Sequence, residues 1–351
     1  MKIAITGETG FLGYHLTQYY TYIRKFEVIK LGRDYIDNIL LLKDCDLLIH
    51  CAGVNRGDNV YDANITLTKD LVTALYDNDI SIDIKFMSSI QEGIDSPYGN
   101  SKLTCKKILS EYCNDVNVKF ESYKLPNLYG PFGKPNYNSF INTFCYNLIN
   151  NVQSKYNNNI ITLTYVYDAI NVIDNKTNSY NEKHCNVTEI YKLLKYFHET
   201  YSQGDIPKID TQFNRNLFNT YRSFAPCKFQ FKKHIDDRGH LVELIKSKTN
   251  QSQIFFSVTK PRVTRGNHFH FNKIERFCVL NGNANISLRK LGTNEIITYN
   301  INGDDNIVVD MPILYTHNIT NIGTDNLICL FWVDEIFNPN LTDTYHEKVI
   351  Q

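Results

Sequence analysis

Apolar residues in the first half of the chain fall into two kinds of segment. Short runs rich in Val, Ile and Phe occur at Lys2–Thr6, Phe26–Leu31, Asp46–Cys51, Ile82–Ser88, Lys119–Lys124 and Ile160–Tyr165, with the length and β-branched character of buried strands. Between them, Leu12–Tyr22, Ala63–Tyr76, Tyr98–Cys113 and Phe140–Asn150 repeat apolar side chains at helical spacing. Strand and helix in alternation predict a doubly wound parallel sheet covered by helices on both faces, with ligands bound beyond the carboxyl ends of the strands. One more helix is expected over Thr188–Tyr201.

The pattern then changes. Ser202–Cys227 mixes polar residues and prolines without a strong period, which places a domain junction there and divides the chain into 1–227 and 228–351. Beyond it, helical periodicity is nearly absent. Short β-rich runs recur at Leu241–Lys246, Ile254–Val258, Phe277–Leu280, Ala284–Leu288, Glu295–Tyr299, Ile307–Val309 and Leu327–Val333, with turns such as Asn281-Gly282-Asn283 between them. Strands this closely spaced predict a small sandwich or barrel.

Composition narrows the function more than the fold. A length of 351 residues exceeds one ordinary core and fits two domains. The 37 basic and 37 acidic side chains cancel, leaving no surface of the kind that binds nucleic acid by releasing counterions. No segment reaches the ~18 uninterrupted apolar residues of a membrane span. The richest, Ile39–Ile49, is broken by Lys43, Asp44 and Asp46. Met1–Thr6 has neither a basic start nor a long apolar stretch, so no export signal is expected. The nine cysteines are odd in number, scattered and without a CxxC pair, as in a reduced, cytoplasmic protein.

Candidate chemistry lies in two clusters. The strand Lys2–Thr6 runs into Gly7-Glu8-Thr9-Gly10-Phe11-Leu12-Gly13, a GxxGxxG loop that opens a helix. Glycines there allow a tight turn and close approach of backbone to a pyrophosphate, while the helix start offers free N–H groups. Leu48-Ile49-His50-Cys51-Ala52-Gly53 ends a buried strand in small residues suited to backing an adenine or ribose, and Ser88-Ser89 end another strand in hydroxyls. Tyr98 and Lys102 stand four residues apart and share one helix face. The ammonium is expected to lower the phenol pKa, making Tyr98 a proton donor to a developing alkoxide. At the end of the second strand Leu31-Gly32-Arg33-Asp34 offers both a base and an acid; Arg33 comes first and favours NADP(H). In the second half, His268-Phe269-His270 places two imidazoles on one face of a strand, and Glu275 and His317 complete a ligand set for a divalent ion, zinc favoured.

These motifs, with Leu125-Pro126-Asn127-Leu128-Tyr129-Gly130-Pro131, resemble those of the extended short-chain dehydrogenase/reductases. The resemblance implies a Rossmann-type fold with Ser89, Tyr98 and Lys102 catalytic. Gly7, Thr9, Gly10, Phe11, Leu12, Gly13, Arg33, Ala52, Gly53, Asn64, Tyr98 and Lys102 would hold the cofactor, and Ser89, Asn127 and Asn138 the substrate. Ser88 rivals Ser89. HxH, Glu275, Gly282 and the PxxxxHxxxN stretch Pro312–Asn321 resemble the cupin superfamily, a jelly-roll barrel; Leu314 stands where its second motif has glycine, and the glycine usually ahead of HxH is displaced to Gly266. Arg265-Gly266-Asn267-His268 and Asp237-Arg238-Gly239 also resemble metal-free deoxysugar epimerases of the cupin fold, in which the histidine is a base. His268 cannot serve both roles, and the complete ligand set favours the metal.

The two halves together resemble the CapF-type family of bifunctional nucleotide-sugar enzymes. That implies a homodimer in which the cupin epimerises C3 of a UDP-linked 2-acetamido-2,6-dideoxy-hexos-4-ulose and the reductase reduces C4 with NADPH, for surface polysaccharide synthesis. The product is talose- or rhamnose-configured. A 3,5-epimerase/4-reductase of the rhamnose route and a non-catalytic NADP-sensing regulator are the competing readings; the regulator has no need of Tyr98 and Lys102.

Overall fold

The computed structural model describes residues 1–350 apart from Arg238, Asn250, Gln251 and Leu341. Within these residues, contacts define two compact units. Met1–Tyr129, Asn136–Ser139 and Ile160–Asn186 form the first; Gly130–Pro135, Phe140–Asn159 and Val187–Gln351 form the second. The units interleave along the chain rather than meeting at one junction.

The first unit is built on strands β1 (Lys2–Thr6), β2 (Glu27–Leu31), β3 (Leu47–His50), β4 (Asp83–Ser89) and β5 (Phe120–Leu125), all parallel in the order β2-β1-β3-β4-β5. Helices α1 (Phe11–Gln18), α2 (Val60–Asp77) and α3 (Pro97–Asp115) make the crossovers. The runs Ile3-Ala4-Ile5 and Leu48-Ile49 are buried on both faces, as helices above and below a parallel sheet require. One core gathers Leu48, Phe86, Leu71, Leu75, Leu109 and Tyr112 from sheet, α2 and α3. The strand order reverses between β1 and β3, which opens a crevice at their carboxyl ends. A short sheet of β6 (Asn127–Tyr129), β7 (Ile160–Tyr165) and β8 (Glu182–Asn186) completes the unit.

The second unit carries two five-stranded sheets. One is ordered Gln253–Thr259, Leu327–Val333, Glu275–Asn281, Ile307–Met311 and Lys228–Gln230; the other is ordered Ile296–Asn302, Asn283–Lys290, Tyr315–Asn321, Thr264–Phe269 and Tyr345–His346. Neighbouring strands are antiparallel throughout. Phe277, Met311 and Phe331 of one sheet share a core with Ile286, Leu288 and Ile319 of the other, so the apolar layer lies between the sheets.

Helices Phe140–Ile149, Val187–Tyr201 and Gln212–Arg222 belong to this unit. The last of them corrects the reading of Ser202–Cys227 as irregular. Thr211 caps it by accepting from the Asn214 N–H at 3.1 Å, and it buries Asn216, Asn219, Thr220 and Arg222 beside Leu217 and Phe218. Its buried residues run consecutively from Asn216 to Arg222 and four of these seven are polar, so the segment lacks the apolar content by which the other helices are read. Its polar face has partners in the sheet region: Asn219 donates to the Asn272 carbonyl at 2.9 Å and Arg222 to that of Met311 at 2.9 Å. Nearby, fully buried Arg276 and Asp310 form a bidentate pair at 2.6 and 3.0 Å, and the Tyr201 hydroxyl donates to the same carboxylate at 2.7 Å. These bonds tie the helices Val187–Tyr201 and Gln212–Arg222 to the strands within this unit. The expected strand Leu241–Lys246 reduces to the hairpin strand Gly239–Leu241. Arg238, within the Asp237-Arg238-Gly239 motif, lies outside the described residues.

Candidate functional site

In the first unit the glycine loop sits at the crevice. Gly7 has φ +68°, and a Cβ there would lie 2.9 Å from the Ala52 N, so only glycine lets the loop pass the end of β3. Its N–H donates to the Leu31 carbonyl at 3.3 Å, drawing the loop to the end of β2. Gly10 is the N-cap of α1 and no side chain caps that helix, which leaves its first N–H groups for a ligand. Thr9 and Gly10 are exposed, Phe11 and Leu12 partly buried, and Gly13 packs against the Gly7 carbonyl. Sequence reasoning passed over Glu8. Its Oε2 is buried without a hydrogen-bond partner, and its Oε1 lies 3.7 Å from where a Gly32 Cβ would stand, next to exposed Arg33. An orphaned acceptor beside the end of β2 suits a ribose hydroxyl.

At the start of α3, Ser96 caps the helix by accepting from the Gly99 N–H at 3.0 Å, with Pro97 in the first turn. Tyr98 and Lys102 therefore lie one turn apart. Lys102 is 6% exposed; its Nζ donates to the Met87 carbonyl at 3.0 Å and stands 5.0 Å from the Phe86 ring centroid and 5.8 Å from that of Tyr98. Burial lowers its pKa. Tyr98 does not show the lowered pKa expected from its neighbour: burial raises it, the Ser89 hydrogen bond opposes this, and Tyr137 adds to it. Desolvation outweighs an ammonium that is itself bonded elsewhere. Of the rival serines, Ser88 donates to Glu92 at 2.7 Å, whereas Ser89 is the one bonded to Tyr98.

Asn64 is a bracket. Its Oδ1 accepts from the Val54 N–H at 2.7 Å, and its Nδ2 donates to the Val54 carbonyl at 2.8 Å and to the Ser101 hydroxyl at 3.0 Å. A Cβ on Gly53 would stand 3.3 Å from Asn64 Oδ1 and 3.6 Å from Lys102 Nζ, so Gly53, Asn64 and Lys102 form one wall. Asn127 is exposed and donates to the Thr162 carbonyl at 3.2 Å; Asn138 is exposed in the segment that brings Tyr137 near Tyr98.

In the second unit the ligand atoms of His268, His270, Glu275 and His317 lie within 4.8 Å of one another. Glu275 Oε2 is 3.2 Å from His270 Nε2, 3.3 Å from His317 Nε2 and 4.0 Å from His268 Nε2. Backbone carbonyls fix the far side of two rings: Asp343 bonds His270 Nδ1, and Tyr315 bonds His317 Nδ1 at 3.0 Å, turning each Nε2 inward. His317 Nε2 is buried and has no hydrogen-bond partner. An orphaned imidazole nitrogen among two imidazoles and a carboxylate fits a divalent cation. Burial alone would raise the Glu275 pKa, but the His270 and His317 imidazoles that face it hold it far below the usual carboxylate range. Burial and the neighbouring imidazoles push His268 down to about 3. His317 is lowered by burial, while His270 is raised because Glu275 outweighs burial.

The loop around the cluster explains both departures from the usual glycine pattern. Gly266 has φ +98°, and a Cβ there would come within 2.8 Å of the His317 carbonyl. Leu314 adopts φ 58°, is fully buried, and donates its N–H to the His270 carbonyl at 2.8 Å. The left-handed turn is thus kept without glycine. Beside the cluster is a cavity of about 320 Å³ whose wall includes Lys273, Glu335 and Thr344, none of them singled out by motif. Lys273 could have been found from its place between His270 and Glu275.

Residues 3–187 match the NAD dependent epimerase/dehydratase family, and residues 234–345 the polysaccharide biosynthesis C-terminal domain. The UDP-2-acetamido-2,6-beta-L-arabino-hexul-4-ose reductase of Pseudomonas aeruginosa is 32% identical over 365 residues, spanning 98% of this chain and 98% of that protein. The crystal structure of the capsular polysaccharide assembling protein CapF from Staphylococcus aureus is 34% identical, with 99% of this chain and 100% of that one covered and a TM-score of 0.59. Another crystal form of the Staphylococcus protein gives 30% identity over 99% of this chain and 100% of that one, with a TM-score of 0.54.

Proposed function

Because the chain belongs to the NAD dependent epimerase/dehydratase family, we propose that it is a bifunctional enzyme acting on a UDP-2-acetamido-2,6-dideoxy-hexos-4-ulose. In this reading a C-terminal cupin inverts C3, and the first unit reduces the C4 ketone with NADPH to give a UDP-N-acetyl-6-deoxy-L-hexosamine for surface polysaccharide. The observation that carries it is the presence, on one chain, of the Ser89-Tyr98-Lys102 set and the His268-His270-Glu275-His317 cluster.

The glycine loop would hold the pyrophosphate, Arg33 the 2′-phosphate, and Ala52, Gly53, Asn64 and Lys102 the ribose and ring system. NADPH, when bound, supplies hydride to C4. Ser89 donates a hydrogen bond to O4 and aligns the phenol, and Tyr98 gives its proton to O4 as charge develops there. Lys102, held by the Met87 carbonyl, keeps a positive charge behind the phenol. Asn127 and Asn138 lie exposed and would meet the sugar nucleotide. In the second unit, three imidazoles and Glu275 would hold a divalent ion, zinc by ligand type, which supplies positive charge beside O4 when bound. Removing the C3 proton then leaves an enolate whose charge that site can balance.

We place the enzyme in the cytoplasm, consistent with nine cysteines of which none forms a disulfide. A homodimer is favoured by the edge strand Gln253–Thr259, which exposes Ile254 at 57% and Phe256 at 66%. Incubation with NADPH and the UDP-linked ketosugar, followed by NMR of the product, tests the whole reading. Oxidised cofactor and inverted C3 are expected. A preference for the 2-hydroxy sugar would move the enzyme to the rhamnose route, and no turnover of either sugar would favour a regulator.

A further inference from the structure

The cavity beside the ligand cluster contains two charged side chains that the cluster does not use. His268, His270 and Glu275 line one part of it, and Lys273, Glu335 and Thr344 another. Glu335 lies 3.3 Å from Lys273 Nζ, which also reaches the Thr344 hydroxyl at 3.4 Å. The loop bearing Lys273 is firmly set. The Asp343 carboxylate accepts from the backbone N–H groups of Phe271, Asn272 and Lys273 at 3.0, 2.7 and 2.8 Å. The Lys273 side chain is 12% exposed and that of Glu335 37%, so the pair faces the cavity with solvent at its outer edge. Phe255, Val333 and Phe337 supply apolar wall.

Taking a proton from a carbon beside a ketone requires a basic atom with a lone pair not already engaged. The imidazoles and Glu275 converge on one another and fit an ion. An ammonium has no lone pair to offer. Among the described ionisable groups lining this cavity only Glu335 meets the requirement: its Oε1 faces Lys273 Nζ at 3.3 Å, which holds it in place, and its second carboxylate oxygen carries the lone pair. We propose that Glu335 is the base that abstracts the C3 proton, with Lys273 as its positioning residue; this rests on the epimerase reading above.

The C3–H bond breaks, its proton passes to a Glu335 carboxylate oxygen, its electron pair becomes the C3=C4 bond, and the carbonyl pair moves to O4. The return step reverses these movements with the opposite face of C3 turned to Glu335, so configuration inverts and no oxidant or reductant is consumed. Because carboxylate and ammonium lie on one stretch of wall, the sugar turns over between the two transfers.

The test follows exchange of the C3 hydrogen for solvent deuterium by NMR, using the full-length, metal-loaded protein and the UDP-linked ketosugar without NADPH. Glu335→Gln is expected to slow exchange by about 10²–10⁴-fold, the usual worth of a positioned base, with metal content at the wild-type level. Glu335→Asp should recover part of the rate, and Lys273→Met should lower it less than Glu335→Gln does. Wild-type exchange in Glu335→Gln would overturn the assignment while leaving the epimerase reading intact. Absence of exchange in the wild-type protein would overturn the epimerase reading and the assignment with it. Should Glu335→Gln lose metal or fold poorly, Glu335→Asp at wild-type metal content decides: a reduced exchange rate is expected, and a wild-type rate would overturn the assignment.

Discussion

Tyr98 is a half-buried acid and Glu275 a buried one, and their surroundings move them in opposite directions. Tyr98 has a neutral hydroxyl as its hydrogen-bonding partner, so burial prevails and its proton is held more tightly than in water. Glu275 is at least as enclosed but faces two imidazole nitrogens at 3.2 and 3.3 Å, and it stays ionised. Burial sets no direction by itself; the charge built in around the group does. The second unit carries its own positive complement for an anion, whereas the first leaves the phenol protonated, ready to donate, with Lys102 turned partly toward Met87.

The largest test of that contrast is Tyr98→Phe, which should cut NADPH-dependent ketone reduction by about 10²–10⁴-fold with the metal content of the second unit unaltered; cofactor absorbance and metal analysis report the two together. Next, Glu275→Gln removes the anion that the imidazoles surround. Metal affinity should fall by more than about 100-fold, the upper range for losing an outer partner of a ligand, as measured by competition with a chelator. In metal-free protein the same cluster should confer acid sensitivity. His268 is lowered from 6.5 to about 3, so the unfolded chain takes up a proton there before the folded one does. Its stability contribution is present above pH 6.5 and is lost as pH falls toward 3, and the depressed Glu275 acts in the same sense at the acid end. His270, raised, opposes this by favouring the fold below 6.5. Urea midpoints against pH should therefore slope downward into acid, and His268→Gln should flatten the slope.

Leu314→Gly compares strain with burial. Releasing a left-handed leucine returns about 1–2 kcal/mol, while deleting a fully buried side chain costs about 2–5 kcal/mol, so net destabilisation of about 2 kcal/mol is expected in denaturant titration. The smallest effect should come from Glu8→Gln. Removing a carboxylate beside Arg33 should raise the ratio of NADPH to NADH affinity by several-fold, about 1 kcal/mol at most for a partly exposed charge, read by fluorescence titration. An unchanged ratio would take Glu8 out of the ribose site.

The parallel sheet was legible because its strands are buried on both faces and so read as unbroken apolar runs, as in Ile3-Ala4-Ile5. The strands that carry the ligands were harder to see as strands. Thr264–Phe269 and Tyr315–Asn321 are rich in Thr, Asn and His, and only the HxH spacing and the PxxxxHxxxN stretch betrayed them. Gln212–Arg222 was missed because its buried polar residues find partners distant in sequence, such as Asn272. The same holds for Glu8, Glu335 and Asp343. Their significance comes from neighbours that only folding supplies, whereas Tyr98 and Lys102 announce themselves by lying one helical turn apart.

Asp343 binds both the ring of His270 and three consecutive amides of the loop leading to Glu275. It follows all four candidate metal ligands, His268, His270, Glu275 and His317, in the chain. During synthesis the imidazoles and the carboxylate therefore emerge from the ribosome before the clasp that orients them, and a nascent chain lacking it should hold its ion loosely and exchange it readily. If the cluster holds an ion, its choice would be made by a set geometry only once the clasp has closed, rather than by whichever cation arrives first.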